Sequence, residues 1–341
     1  MKVRTTMRIF AATWILPFIL LDYGFSDTHW QIQAVYEDGY GKHPDLVTWN
    51  KVTVEGIVLN RPDFMLDATP NADAPFGPGA MWQIYVQGEA GDHAGTAVWI
   101  GQVYDNIPGG SGTYTNGQWL DEIYRINHDP CSGYEFAPGD RVRVTGLLTF
   151  YGGKTNINER HDTDQANDFT IELIEPGVGL PQPELITLDE LKDANDDFIF
   201  DANRDFGCEY YQGRLVRIKN VVFIDANSWG PDAEMLITDG QKTFPLKLGL
   251  GWGIRTGSNN LTGPFDVIGI LDQEGGLKDN YRMWVLNYDG NGKVLTDRAY
   301  GRYNLPGDVD RDGKVDMFDF AWMADSWLKC VPGSGACGAT K

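Results

Sequence analysis

Residues 51–59, KVTVEGIVL, place Val52, Val54 and Val58 on one side of an extended chain and Lys51, Thr53 and Glu55 on the other. That alternation marks a strand with one face in a core and one in water. The pattern returns 164 positions later in residues 215–223, LVRIKNVVF, where Val216, Ile218 and Val222 fall on the three valines. A second echo uses a shift of 123. It lays residues 141–154, RVRVTGLLTFYGGK, on residues 264–277, PFDVIGILDQEGGL, and matches Val144, Gly146, Gly152 and Gly153 with Val267, Gly269, Gly275 and Gly276. Between these anchors each half carries two more short strand candidates, 82–87 with 96–101 and 234–238 with 243–248. Two matches in the same order predict tandem copies of one β-domain, the first enlarged by an insertion at about 102–137. Each copy reads as five short strands in the order of a small Greek-key barrel. Gly56, Gly146 and Gly269 supply the bends or bulges such a barrel needs. Two β-sandwiches are the alternative.

Composition agrees with a mainly β chain of more than one domain. The 341 residues exceed what one core usually holds, and 41 Gly with 17 Pro and no sustained 3.6-residue apolar period exclude an all-helical protein. The formal charge of -20 excludes a general binder of phosphate backbones.

Through VTVEGIVL, VRVTGLLTFYGG, and TLDELKD followed by YQGRLVRIKNVVF, the chain resembles the OB-fold-like modules of exported bacterial proteins over roughly residues 45–290. The expected organisation is a signal at 1–26, a first OB-like domain with its insertion at 27–176 and a linker with a short helix at 177–205. A second OB-like domain at 206–300, a C-terminal loop-helix module at 304–330 and a tail at 331–341 complete it. Residues 175–184, EPGVGLPQPE, are the Pro/Gly linker, and Thr187 with Glu190 forms a capping-box pattern for the short helix.

Lys2, Arg4 and Arg8 followed by an apolar run at 9–21 and by Gly24 and Ser26 have the form of a secretory signal cleaved after Ser26. An uncleaved N-terminal anchor is the alternative; the run is too short to span a bilayer comfortably. Cleavage leaves 25 basic against 47 acidic side chains, an acidic product outside the cytoplasm with no membrane span. Cys131, Cys208, Cys330 and Cys337 are an even set for an oxidising compartment.

The sharpest motif is residues 308–319, DVDRDGKVDMFD. Asp308, Asp310, Asp312 and Asp316 stand at loop positions 1, 3, 5 and 9, Gly313 permits the turn at 6, Lys314 offers its carbonyl at 7, and Asp319 closes at 12. This is the oxygen-donor spacing of a Ca²⁺ loop. Asp at position 12, no preceding helix, and Phe320, Met323, Trp327 and Leu328 at helical spacing make it resemble a dockerin repeat. The resemblance implies calcium-dependent attachment to a cohesin-like protein partner, with Met317 and Phe318 at the positions that contribute to recognition. Dockerins carry two such repeats and this chain carries one.

No HExxH, GxSxG, Walker or Rossmann pattern is present, and His161 next to Asp162 is the strongest of the weak His-acid pairs. No catalytic residue is assigned. Binding is better supported, because aromatic residues beside turns can form stacking platforms for sugars or bases. Tyr151, Trp229 and Trp252 are the exposed candidates, and Arg143 and Arg217 represent the basic groups nearest the barrel face. The expectation is an exported noncatalytic binding or adaptor protein, with a polysaccharide or single-stranded nucleic acid as ligand. An exported hydrolase of either polymer is the alternative.

Overall fold

In the computed structural model, which describes residues 26–65, 81–251, 253–254, 261, 263–288, 293–295, 317 and 320, two short helices, α1 (His29–Ile32) and α2 (Asp45–Thr48), precede the first strand. Strand β1 (Val52–Val58) buries Val52 and Val54 and leaves Thr53 and Glu55 partly open, as its alternation requires. It pairs with β2 (Met81–Gln87), which forms a hairpin with β3 (Gly95–Gly101). Strand β4 (Arg141–Tyr151) lies antiparallel to β1, turns at Gly152 and Gly153, and returns as β5 (Lys154–Asn158). The ring closes because β5 runs parallel beside β3, and β6 (Thr170–Glu175) adds to the outer edge of β4.

The second barrel repeats this wiring. Strand β7 (Glu184–Ile186) lies parallel to β8 (Leu215–Phe223), and β8 pairs with β9 (Glu234–Thr238), which forms a hairpin with β10 (Thr243–Leu248). Strand β11 (Phe265–Gln273) pairs with β8 and with β12 (Tyr281–Val285), and β12 closes the ring parallel to β10. The short β13 (Asn287–Tyr288) and β14 (Lys293–Leu295) extend the β11 edge. Both rings have the order first, second, third, fifth, fourth, which is that of an OB barrel, so the chain is mainly β with two five-stranded closed barrels. Closure through the parallel pairs rules out two sandwiches.

The register carries the repeat to single residues. Val54 faces Val144 across β1 and β4, and Ile218 faces Val267 across β8 and β11. Val52 opposite Gly146 is matched by Val216 opposite Gly269. A Cβ on Gly146 would stand 2.6 Å from Ile157 and Phe169, and one on Gly269 would stand 2.2 Å from Met283. Each glycine gives the next strand room to cross the barrel interior.

The insertion at 102–137 contains a barrel plug. Helix α3 (Asn116–Asn127) starts at Thr115, whose side chain accepts from the Gln118 N–H while Gln118 reaches back, and it buries Trp119, Ile123 and Ile126 in the first core. The helix expected after Thr187 is one 3-10 turn, Leu188–Glu190. Its capping box forms, but Asp193 next takes the N–H groups of Asn195 and Asp197 into a competing turn.

The barrels pack on each other. Leu59, Tyr85 and Ala97 of the first meet Leu215, Ile270, Trp284 and Leu286 of the second. The Gly95 N–H donates to the Gln212 carbonyl at 3.0 Å, and a Cβ on Gly95 would lie 2.0 Å from the Gly213 carbonyl oxygen. At the centre the Lys154 ammonium lies 2.6 Å from Asp272, fully buried, with Tyr85 and Trp284 also donating to that carboxylate. Burial opposes ionisation of Asp272, but Lys154 and Arg282 outweigh it and hold its pKa below the ordinary value.

Candidate functional site

OB barrels commonly bind polymers across the second and third strands. In the first barrel that face is covered: Ile84, Val86 and Val98 point into the core, so Tyr85 and Ala97 point outward, where they lie under the second barrel. The corresponding face of the second barrel is open, with Leu236 45% exposed and Thr238, Thr243, Pro245 and Lys247 partly exposed. Among the described residues it presents no aromatic ring, and Lys247 is 3.0 Å from Asp232.

The rings are elsewhere. Tyr36, Tyr40 and Trp49 of the segment before β1 are 53%, 54% and 56% exposed, and the segment is held to the first barrel by local chemistry. A tight turn bonds the Tyr36 N–H to the Tyr40 carbonyl. Leu46 and Phe150 both close on Gly41, where an added Cβ would lie 2.6 and 2.7 Å from them. The Arg160 guanidinium donates to the carbonyls of Asp45 and Leu46. Tyr40 packs against Phe150 with ring centroids 6.0 Å apart, Lys42 lies 5.8 Å from the Tyr36 ring centre, and Arg160 lies 4.3 Å from that of Trp49. Trp49 caps α2 at φ +62°, a left-handed conformation that bulky residues avoid and that glycine usually fills. The result is three exposed aromatic rings on one segment anchored to the first barrel, one packed on Phe150 and two each with a cation near the ring, termed the aromatic row below.

The sequence candidates scatter around this row. Tyr151 is 54% exposed at the end of β4, and alternation turns it away from its neighbour Phe150. Trp229 packs between Phe223 and Tyr288 at 5.9 and 5.3 Å against the second core. Arg143 reaches Glu55 at 2.6 Å and Glu172 at 3.6 Å, and Arg217 is paired with Asp266. Trp252 and the Ca²⁺ ligands proposed at Asp308, Asp310, Asp312, Lys314, Asp316 and Asp319 lie outside the described residues, as do residues 1–25, Cys330 and Cys337. Cys131 and Cys208 are free thiols. His161 meets Trp99 edge-on at 5.4 Å, and burial lowers its pKa. Asp162 accepts from the Asp164 N–H and the Asn167 amide, so the two residues serve different neighbours.

Sequence reasoning also missed an acidic knot. Glu122 of α3, Glu159 after β5 and Asp168 before β6 bring carboxylate oxygens within 4.8 Å of one another. Arg125 binds Glu122 at 2.7 Å and approaches Asp168 to 3.8 Å, and Tyr114 donates to Glu159 at 2.6 Å. Burial pushes Glu159 up to about 8 despite the Tyr114 bond, and pushes Asp168 up to about 6. Three carboxyls could hold a cation; here one arginine and a retained proton already balance most of their charge. The signal lay in three acids 37 and 9 residues apart, which only the barrel's closure brings together.

No protein-family model matches the chain, and no curated protein does. Among solved structures it is similar to a chain described as "Structure and Conformational Change of a Replication Protein A Heterotrimer Bound to ssDNA", at 10% identity and a TM-score of 0.24. That match covers 60% of this chain and spans 40% of the other.

Proposed function

We propose that the protein is an exported, noncatalytic binding or adaptor protein whose first barrel holds a polysaccharide on the row of Tyr36, Tyr40 and Trp49. The observation that carries this is the exposure of these rings, each more than half open to solvent. A left-handed backbone at a tryptophan costs about 1 kcal/mol or more, so a glycine at position 49 would be the cheaper cap, and the ring is what the position gains. Sugars offer apolar C–H faces to aromatic rings and hydroxyls to flanking polar groups.

Single-stranded nucleic acid is the less supported ligand. The arginines nearest the barrel face are neutralised by Glu55, Glu172 and Asp266, and a chain of net charge -20 can neutralise few phosphates and so frees few of the nucleic acid's counterions. The C-terminal loop with Asp308, Asp310, Asp312, Asp316 and Asp319, read as a dockerin-like Ca²⁺ module, would attach the binding domains to a cohesin-like partner. A glycan and oligonucleotide array probed with the full chain in calcium tests the assignment. Glycan binding lost on Trp49→Ala supports it, and salt-sensitive oligonucleotide binding that ignores Trp49→Ala overturns it.

A further inference from the structure

A cleft of about 490 Å³ opens where the two barrels and their connection meet. One wall is the loop between β2 and β3, residues 88–93, and the other is the Pro/Gly connection at 178–182. Its floor includes Ile57, and Arg141 of the first barrel and Arg214 of the second both line it. The volume is that of a small-ligand site, and junctions between domains are where such sites concentrate. Neither the aromatic row nor the acidic knot touches it.

Its polar groups are unevenly matched. On the second-barrel side, Glu184 alone serves two basic partners, His93 at 2.9 Å and Arg214 at 3.2 Å. His93 spends its other ring nitrogen on the Tyr210 carbonyl at 3.1 Å and is fixed by stacking on Tyr210 at 4.0 Å. A guanidinium has five N–H donors; among the described residues the acceptor of Arg214 is Glu184, reached through Nη2, and its Nε is buried without one. Arg141 reaches Glu89 at 2.6 Å and Glu175 at 2.8 Å, and its Nε is likewise buried and unpartnered. Glu89 and Glu175 are exposed side chains, which an incoming acceptor can displace at little cost, since exposed ion pairs are worth about 0 to 1 kcal/mol.

We infer that this cleft binds a small carboxylate-bearing ligand, its carboxylate seated on Arg214 and Arg141 and its body against the Ile57, Val178 and Leu180 side of the cleft. A planar two-oxygen acceptor matches a guanidinium fork better than a tetrahedral or neutral group does, and the apolar wall suits a carbon skeleton. The inference is independent of glycan binding at the aromatic row and holds or falls without it.

The test is calorimetry on the full chain with four probes at matched ionic strength: digalacturonate, a neutral galactose disaccharide, succinate and inorganic phosphate. Digalacturonate should bind and the neutral disaccharide should not. Competition by succinate means that any small carboxylate fits, and its absence means that the sugar body is also read. Arg214→Gln should weaken binding at least about tenfold, the ratio given by ~1.4 kcal/mol. Because that change also releases Glu184, a second variant, Ala90→Trp, fills the cleft from an exposed loop position and should abolish binding without altering the urea midpoint. No heat with either carboxylate, equal binding of the neutral disaccharide, tighter binding of phosphate, or full binding by Ala90→Trp would overturn the inference.

Discussion

Replacing Glu159 by Gln should change how stability depends on pH more than it changes stability itself. Glu159 is fully buried with one carboxyl oxygen lacking any donor, and burial raises its pKa from 4.5 to about 8 in the folded chain. Below pH 4.5 both folded and unfolded chains carry the proton and the group is neutral to stability. Between pH 4.5 and 8 the unfolded chain releases it while the folded chain keeps it, so stability falls as pH rises, and above 8 the loss is complete. At about 1.4 kcal/mol per unit the ceiling is ~5 kcal/mol, and relaxation around the charge brings the expectation to about 2–4 kcal/mol. Asp168, raised to about 6, adds a smaller slope of the same sign that ends earlier. Gln keeps the shape and an oxygen for Tyr114 but cannot ionise. Urea unfolding followed by tryptophan fluorescence, in chelator, should find the Gln variant near wild type at pH 5 and more stable by ~2–4 kcal/mol at pH 9. A difference that is the same at both pH values would refute the reasoning.

Other outcomes follow from the packing and the motif. Lys154→Met leaves Asp272 buried and short of its nearest cation, so thermal melts should show a loss of about 3–5 kcal/mol, and adding Asp272→Leu should not restore it, because the Tyr85 hydroxyl and the Trp284 N–H then lose their acceptor. Trp119→Ala empties the plug of the first barrel and should cost ~3–5 kcal/mol in urea titrations, with the second barrel's Trp and Tyr signals moving less. In calcium calorimetry on the full chain, Asp308→Ala should remove or strongly weaken the calcium heat while Lys314→Ala, which keeps its carbonyl, should change little; equal losses would sink the loop assignment.

The barrels were legible because their cores impose period two. Val52, Val54 and Val58 face inward with the echoes Val216 and Ile218, whereas a bulge after Ile218 puts Val221 in the second core where the echo pointed to Val222. The echo offsets made Val54 equivalent to Ile218 and Val144 to Val267, and the two ladders keep that equivalence. The surface between barrels was not legible. Tyr85 follows Ile84 and precedes Val86, so both faces of β2 are apolar and nothing local says that one meets a second domain. Helix α3 had its signs, Thr115 with Gln118 and Trp119, Ile123 and Ile126 at spacings of four and three, but a break in the repeat drew them into an apparent insertion. Arg143 looked available for a ligand until barrel closure set it opposite Glu55. The aromatic row draws on residues 36–49 and on Phe150 and Arg160 of the barrel, a juxtaposition with no period in sequence.

Affinity electrophoresis and calorimetry of Trp49→Ala and Tyr40→Ala chains against the polysaccharide selected on the array test the central claim most directly. Each ring lost should weaken binding at least about tenfold, or ~1.4 kcal/mol, and the pair together should abolish retention while the unfolding midpoint stays within ~0.5 kcal/mol of wild type, as exposed positions allow. Retention undiminished by the double substitution would contradict the claim that this row is where the protein holds its ligand.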